Sequence, residues 1–218
     1  MKLKFDSQHN PKPLTFVLAK KDGTKLSALP SQHIKFNAEF NSCLDFNFSV
    51  YQINNGVTLD IWDEIVDFKL LWIKEFDLWF EIHVQTSDGN VCVKHITAKS
   101  LAQMELSQTN VYSLEVNTEA DIEQDDYSPT VFYDETDKAH SLLHRVLSKT
   151  PHYSIVSVPV SLRTIQRVFS FNGTSIYEAL KEISEEIGCY FDFSVHSDEN
   201  GKPKRAIKVY DLHSYCLM

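Results

Sequence analysis

The sequence predicts an α+β protein that is mainly β: an antiparallel β-barrel-like or sandwich domain, then a small α+β domain with two helices. Polar and apolar residues alternate with a period of two through most of the first hundred residues, which is typical of half-buried strands. After residue 136, apolar residues recur at helical spacing in two segments that lie among strand-like runs. The composition, 43% hydrophobic and 12% aromatic with 14 phenylalanines, is that of a globular chain and favours strands.

The first domain is predicted over residues 1–105. The alternating runs cover residues 34–40, 44–51, 76–86 and 91–98. In the first two runs the apolar parity places Phe36 and Phe46 on the buried face, with a bend near Asn41. A Gly-containing turn at residues 87–90 joins the last two runs, and residues 59–76 are predicted to hold two shorter strands. Successive hairpins favour an antiparallel sheet that closes toward a barrel or sandwich.

Residues 106–135 are predicted to be an acidic linker. Residues 100–107, which overlap the start of this linker, have the pattern of one helical turn. Six acidic side chains then fall between Glu115 and Asp126. A charge run of this kind is typical of a solvated loop, and the alternatives are the wall of a channel or a contact to a basic partner.

The α+β domain is predicted over residues 136–200. Its first helix, about residues 136–148, has an apolar stripe and cannot continue through Pro151. The second helix begins at a capping box of Ser175 and Glu178, and Gly188 suits its C-terminal end. The surrounding strand-like runs are residues 153–158, 167–171, 189–195 and 205–212. Residues 201–218 are predicted to begin a return strand toward a second barrel-like domain that this chain lacks.

The histidines offer two pairs whose spacing could suit a metal site. His140 and His144 are four residues apart on the first predicted helix, but Ser141 stands where a metalloprotease helix has its glutamate, so a solvated helix face is the better interpretation. His83 and His95 are predicted to lie on adjacent strands without a third ligand near them in sequence. The sequence therefore predicts no metal site.

No other catalytic motif is present. The chain has no nucleophile elbow, phosphate loop or G-x-G-x-x-G, and it contains only six glycines. Its cysteines are Cys43, Cys92, Cys189 and Cys216, none of them in a C-x-x-C pair. They are predicted to be reduced thiols in or near cores, and the first three lie in strand patterns. We expect no catalytic residue and no cofactor, and the protein is predicted not to be an enzyme.

The net charge of −9 argues against a stable nucleic-acid-binding surface, because that affinity comes mainly from Lys and Arg. It is compatible with DNA passing by without specific binding, since an acidic surface repels a polyanion. No apolar run is long enough for a membrane anchor, and the start of the chain lacks the pattern of a signal peptide.

Two tryptophans are candidate interface residues. Alternation places Trp79 on the polar face of its strand, beside Asp77 and Glu81. Either a second sheet or the next domain covers it, or it contacts another subunit, because Trp is enriched at buried interface anchors. Trp62 is the second candidate for this subunit or domain interface.

Residues 141–193 carry a resemblance to a known family. The order is an amphipathic helix, the turn KTPHY into a strand, a loop into RVFSF, the polar turn FNGTS, the helix IYEALKEISEEIG and the strand CYFDFSV. Upstream, AEFNSCLDFNFSVY has a polar turn followed by L-x-F-x-V. This order resembles the N-terminal hub region of phage and prophage tail-tip proteins, the family of tail-associated lysins and prophage endopeptidase tail proteins, which is similar to the baseplate hub proteins of contractile tails.

The resemblance implies a virion structural protein. A homotrimeric ring would continue the tail tube, contact neighbouring tail tube and distal tail proteins, and let DNA exit, with the α+β domain at its periphery. The expected location is the virion tail after synthesis in the bacterial cytoplasm. Members continue beyond the point that corresponds to residue 218, so any lytic domain would lie further on.

Two alternatives remain open. The first is a carbohydrate- or receptor-binding β module of a tail or cell surface, in which Trp79 and Trp62 would line a sugar groove. The second is a peptidoglycan hydrolase, although no constellation of nucleophile, base and orienting group can be assembled from the sequence.

Overall fold

A computed structural model describes residues 13–37, 43–87, 90–123 and 126–212. The protein is mainly β, with a curled antiparallel sheet and five helices in the described ranges, which confirms the predicted fold class. The chain divides into two compact units. Unit 1 contains residues up to Leu101 together with Ser194–Lys204, and unit 2 contains Ala102–Phe193 together with residues from Arg205 onward.

The elements are numbered in chain order. The first part contains β1 (Phe16–Ala19), β2 (Lys25–Leu29), β3 (Ser31–Asn37), β4 (Asp45–Tyr51), β5 (Ile53–Asn54), β6 (Val57–Thr58), a 3-10 helix (Trp62–Glu64), β7 (Leu70–Ile73), β8 (Leu78–Ser87) and β9 (Asn90–Ser100). The middle part contains α1 (Leu101–Ser107), β10 (Asn110–Val111), β11 (Leu114–Val116), α2 (Glu119–Ile122), α3 (Leu142–Leu147), β12 (Ser154–Ser157) and α4 (Val160–Arg163). The last part contains β13 (Phe169–Phe171), β14 (Thr174–Ser175), α5 (Ile176–Ile187), β15 (Cys189–Asp192), β16 (His196–Ser197), β17 (Pro203–Lys204) and β18 (Ala206–Asp211).

The sheet of unit 1 has seven strands in the order β2-β1-β7-β8-β9-β4-β3, and all neighbours are antiparallel. Its two edge strands, β2 and β3, are separated in sequence by Pro30 alone. The sheet must therefore curl until its two edges meet at this residue. A proline is tolerated there because an edge position does not require a backbone N–H in the ladder.

The inner face of this curled sheet forms the core of unit 1. Its buried residues are Phe16, Leu18, Leu29, Phe46, Phe48, Val50, Trp62, Ile65, Leu71, Ile73, Phe80, Ile82, Ile96 and Ala98. On β4 and β8 these are the apolar positions of the alternating pattern, which explains why the period-two signal found both strands. The side chains come from six of the seven strands and from the segment of the 3-10 helix, so the core exists only once the sheet has curled.

Three details of unit 1 differ from the sequence-based expectation. Residues 59–76 contain the 3-10 helix and only one strand, β7, while β1 and β2 were not predicted. Phe36 has the buried parity and contacts Phe46, with ring centroids 6.1 Å apart, yet it is 50% exposed because β3 is an edge strand. The predicted bend near Asn41 and the residues 88–89 of the predicted turn lie outside the described residues.

Unit 2 contains the three-stranded sheet β12-β18-β15 and the two predicted helices, α3 and α5. In α5 the Ser175 hydroxyl accepts from the Glu178 N–H (3.2 Å), and Gly188 ends the helix with a φ of 75°. The α3 helix begins only at Leu142. The carboxylates of Asp134 and Asp137 accept backbone N–H groups two and three residues ahead, which offers this segment an alternative to helix.

The unit boundaries differ from the predicted domains. Residues 106–135, expected to be a linker, lie in unit 2, where β10 pairs with β14 and β11 pairs with β13. Residues 201–218 were expected to begin a return strand toward a missing domain. Instead β18 is the central strand of the unit 2 sheet, and β17 pairs with β16 in unit 1. Both corrections concern long-range pairings, which local patterns do not encode.

The longest helix in the described ranges, α5, has 12 residues, and no described helix has the length and hydrophobicity needed to cross a membrane.

Candidate functional site

Trp79, the first candidate interface residue, is buried inside unit 1. It lies on the face of β8 opposite the core residues, as alternation predicts, but it is only 1% exposed. Its backbone N–H donates to the Val195 carbonyl (3.0 Å), and its indole N–H donates to the Ser197 hydroxyl (3.1 Å). Of the two alternatives given for Trp79, cover by another part of the chain is the one observed, because a segment more than a hundred residues later lies against it.

Asp77 organises the polar groups around this tryptophan. Its carboxylate accepts from the Trp72 indole (2.7 Å), from the Ser197 backbone N–H (3.0 Å) and from the Ser197 hydroxyl. Burial alone would raise the pKa of Asp77, but the hydrogen bonds from Ser197 and Trp72 together lower it. The Lys25 ammonium lies 3.2 Å from the centroid of the Trp72 ring. This set of contacts, here called the Asp77 network, fixes β16 to β8.

Trp62, the second candidate, is also largely buried, at 8% exposed. The Lys94 ammonium lies 4.5 Å from the centroid of its ring and donates to the carbonyls of Trp62 (2.7 Å) and Ile65 (2.8 Å). Burial lowers the pKa of Lys94. Neither tryptophan is available as a surface anchor, and a sugar groove lined by Trp79 and Trp62 has no basis in this structure.

The exposed apolar side chains of unit 1 are different residues. Besides Phe36, Phe68 is 48% exposed and has a φ of 64°, a left-handed conformation that is uncommon for an aromatic residue. The β5–β6 hairpin exposes Ile53 and Val57. Its turn residues Asn55 and Gly56 both have positive φ, as a type I′ turn requires. Sequence reasoning missed this hairpin, although the Asn-Gly dipeptide was a signal that could have found it.

The four histidines considered as ligands make separate local contacts. His140 bonds Asp137 (2.8 Å) and His144 bonds Ser141 (2.9 Å). His95 bonds Ser49 (3.0 Å) and faces Gln85 across the strand pair, two residues from the position of His83. Across the described ranges, no group of three His, Cys, Asp or Glu side chains could hold a metal ion.

The cysteines have contrasting environments. Cys43 and Cys189 are buried, whereas Cys92 is exposed, which corrects its predicted burial. Burial and the nearby Asp211 raise the pKa of the Cys189 thiol to about 12, so it is not a nucleophile at neutral pH. Cys216 lies outside the described residues.

A polar cavity of about 370 Å³ lies in unit 2 and includes Asn117, Tyr127 and Arg145 in its lining. Asn117 is buried with a φ of 54°. Its amide donates to the carbonyls of Thr130 (2.8 Å) and Arg167 (3.1 Å) and accepts from the Thr130 N–H (2.8 Å) and the Tyr127 hydroxyl (2.9 Å). Every hydrogen-bonding group of this amide is used internally, so Asn117 acts as a structural tie between loops.

A larger groove of about 1000 Å³ also lies in unit 2, here called the β12 groove. Its lining residues are Leu114, Tyr133, Glu135, Lys138, Ala139, His144, Arg145, Leu147, Ser148, Pro151, Tyr153, Ser154 and Ile155. Tyr133 stacks on His144, with ring centroids 5.2 Å apart. Tyr153 donates to Glu105 (2.8 Å), whose carboxylate also receives two hydrogen bonds from Arg205. These contacts join the side chains of the groove walls, and the groove was not predicted from the sequence.

No protein-family model matches this chain, and a search of curated proteins finds no match either.

Proposed function

We propose that this chain is a structural hub protein of a phage or prophage tail tip. In this proposal three copies form a ring that continues the tail tube and carries distal tail parts. The observation that carries it is the curled half-barrel sheet of unit 1, together with the helix-strand order of unit 2 that resembles the hub family. The role is mechanical, and we assign no enzymatic activity to the chain.

The charge of the chain is consistent with a conduit for DNA. With 30 acidic and 21 basic side chains, the protein does not favour lasting contacts with phosphates. A ring that bound DNA would hinder its exit, whereas an acidic ring repels it. DNA therefore passes through the proposed ring without specific binding.

The proposed subunit contact includes the edge strand β3. Phe36 exposes half of its surface there, next to strand positions that are also exposed. Exposed apolar residues at a sheet edge favour association, because pairing removes both apolar surface and open backbone groups from water. We assign Phe36 to the contact between copies in the ring.

The test is the mass of the protein in solution, measured by light scattering over a concentration series and followed by negative-stain electron microscopy. We expect a species of three times the chain mass of 25.1 kDa, with a central opening. Phe36→Asp should shift it toward monomer. Tyr112→Asp should not, since Tyr112 is exposed in unit 2 and serves as the matched control.

A strict monomer at every concentration, both in this chain and in a version extended past residue 218, would rule out the ring. Antibody labelling of purified tails tests the location independently. We expect the label at the tail tip of virions, in agreement with synthesis in the bacterial cytoplasm and later assembly.

A further inference from the structure

The β12 groove runs along an open sheet edge. Strand β12 is the first strand in the order β12-β18-β15, and within the described residues no strand pairs with its other side. The Ser154 N–H donates to the Arg205 carbonyl (3.1 Å), toward β18. Because hydrogen-bonding directions alternate along a strand, the peptide groups of Ile155 point away from β18. Such an edge is a template for an additional strand.

The groove can also hold side chains. Its volume of about 1000 Å³ is at the upper end of the range for ligand sites, and Ile155 lines it beside the open edge. Leu147 and Pro151 supply apolar wall, while Tyr133 and His144 supply polar groups. An extended segment added to β12 would direct alternate side chains into this space, which is the geometry of recognition by strand addition.

The groove carries positive charge in an acidic protein. Lys138 and Arg145 both line it, and neither forms an ion pair with a carboxylate among the described residues. Among the described residues the Arg145 guanidinium donates to neutral oxygens, the Thr130 hydroxyl (3.2 Å) and the Glu115 carbonyl (2.9 Å), and Arg145 also lines the polar cavity together with Asp121 and Asp126. Glu135 is the one carboxylate in the lining. Two cationic side chains and one carboxylate in the groove lining favour a ligand with acidic groups.

We propose that the β12 groove binds an extended acidic segment of a partner protein by strand addition. The partner backbone pairs with the open edge at Ile155, its carboxylates meet Lys138 and Arg145, and its apolar side chains pack against Leu147 and Pro151. This proposal rests on unit 2 alone and does not depend on the ring.

The experiment is selection from a random twelve-residue peptide library displayed on phage, with the whole chain as the target. The strongest sequence is then synthesised with a fluorescent label, and its Kd is measured by anisotropy. We expect selected peptides that alternate apolar residues with Asp or Glu, and an affinity that falls as salt is raised. Lys138 is exposed, so Lys138→Glu should leave the fold intact and weaken binding by about tenfold or more.

Two further variants separate the charge from the strand edge. Lys208→Glu makes the same charge change at an exposed position of unit 2 that does not line the groove, and it should leave the Kd nearly unchanged. Ile155→Pro removes one backbone N–H that points away from β18, and it should also weaken binding. A cooperative thermal unfolding transition shows that this variant is folded.

Three outcomes would overturn the proposal. The first is a library that returns no sequence above background. The second is a peptide affinity that Lys138→Glu leaves unchanged, which would show that the peptide does not bind in the groove. The third is self-association of the chain that Lys138→Glu abolishes, which would assign the groove to a second copy instead of a partner.

Discussion

The ring of Phe16 on β1 stacks on the ring of Phe48 on β4, with centroids 4.7 Å apart and planes inclined by 25°. Strands β7, β8 and β9 lie between these two strands in the sheet. The contact is therefore made across the interior, by the curling of the sheet. Phe46 adds an edge-to-face contact with Phe16 at 5.8 Å. Phe16 consequently joins the two ends of the sheet through its side chain.

Replacing Phe16 should destabilise unit 1 strongly. Phe16→Ala removes a fully buried ring and its aromatic partners, so we expect the free energy of unfolding to fall by about 3–5 kcal/mol. Ile53→Ala is the control, since that side chain is 57% exposed, and it should cost about 1 kcal/mol or less. Urea unfolding followed by tryptophan fluorescence measures both. Equal losses of unfolding free energy in the two variants would contradict the role of Phe16 in joining the two ends of the sheet.

The Asp77 network should hold β16 against β8. Asn tolerates the φ of 50° found at this position. However, Asp77→Asn removes the carboxylate charge that accepts hydrogen bonds from Ser197 and Trp72. We therefore expect the free energy of unfolding to fall by about 1–2 kcal/mol. Hydrogen exchange should quicken at residues 194–204. Asp60→Asn, at another exposed carboxylate of the same unit, should change little. If hydrogen exchange at residues 194–204 is unchanged in Asp77→Asn, the Asp77 network is not needed to hold β16 against β8.

Acidification should weaken unit 2 through His144. Burial, followed by the charge of Lys138, lowers the pKa of His144 below its ordinary value of 6.5, although Asp134 and Glu135 oppose this. His144 therefore binds a proton more readily in the unfolded chain than in the folded one. Its contribution to stability is present above the pKa of the unfolded state and is lost as pH falls through the pKa of the folded state. Urea unfolding between pH 7.5 and 5 should show a shallower pH dependence in His144→Gln. His140→Gln, at a partly exposed histidine beside Asp137, is the control, and identical slopes of unfolding free energy against pH in both variants would refute the assignment.

Thiol labelling should distinguish Cys92 from Cys189. Cys92 is exposed, whereas Cys189 is buried with its pKa raised to about 12. A maleimide pulse at pH 7.5, followed by peptide mapping with mass spectrometry, should modify Cys92 within minutes and Cys189 only in urea. Labelling of both at the same rate in the folded protein would place Cys189 at the surface.

Local patterns predicted a large part of the fold. Alternation located β4, β8 and β9, and the cap at Ser175 located the start of α5, because these signals depend on neighbours within a few residues. The same reasoning overextended α3, since side chains of Asp134 and Asp137 compete for the backbone. It left open what covers Trp79, since the parity of a strand tells which face a residue occupies and not what lies against that face.

The sequence by itself determined the β-rich class, the two main helices and the acidic charge, because composition and short-range periodicity are local properties. Only the tertiary structure decided that Trp79 is buried by Ser197, 118 residues away, that the two sheet edges meet at Pro30, and that the β12 groove gathers Lys138, Arg145 and Ile155. Those arrangements depend on which distant segments pair and pack, and the cost of closing long loops is offset only by contacts that exist in the folded chain.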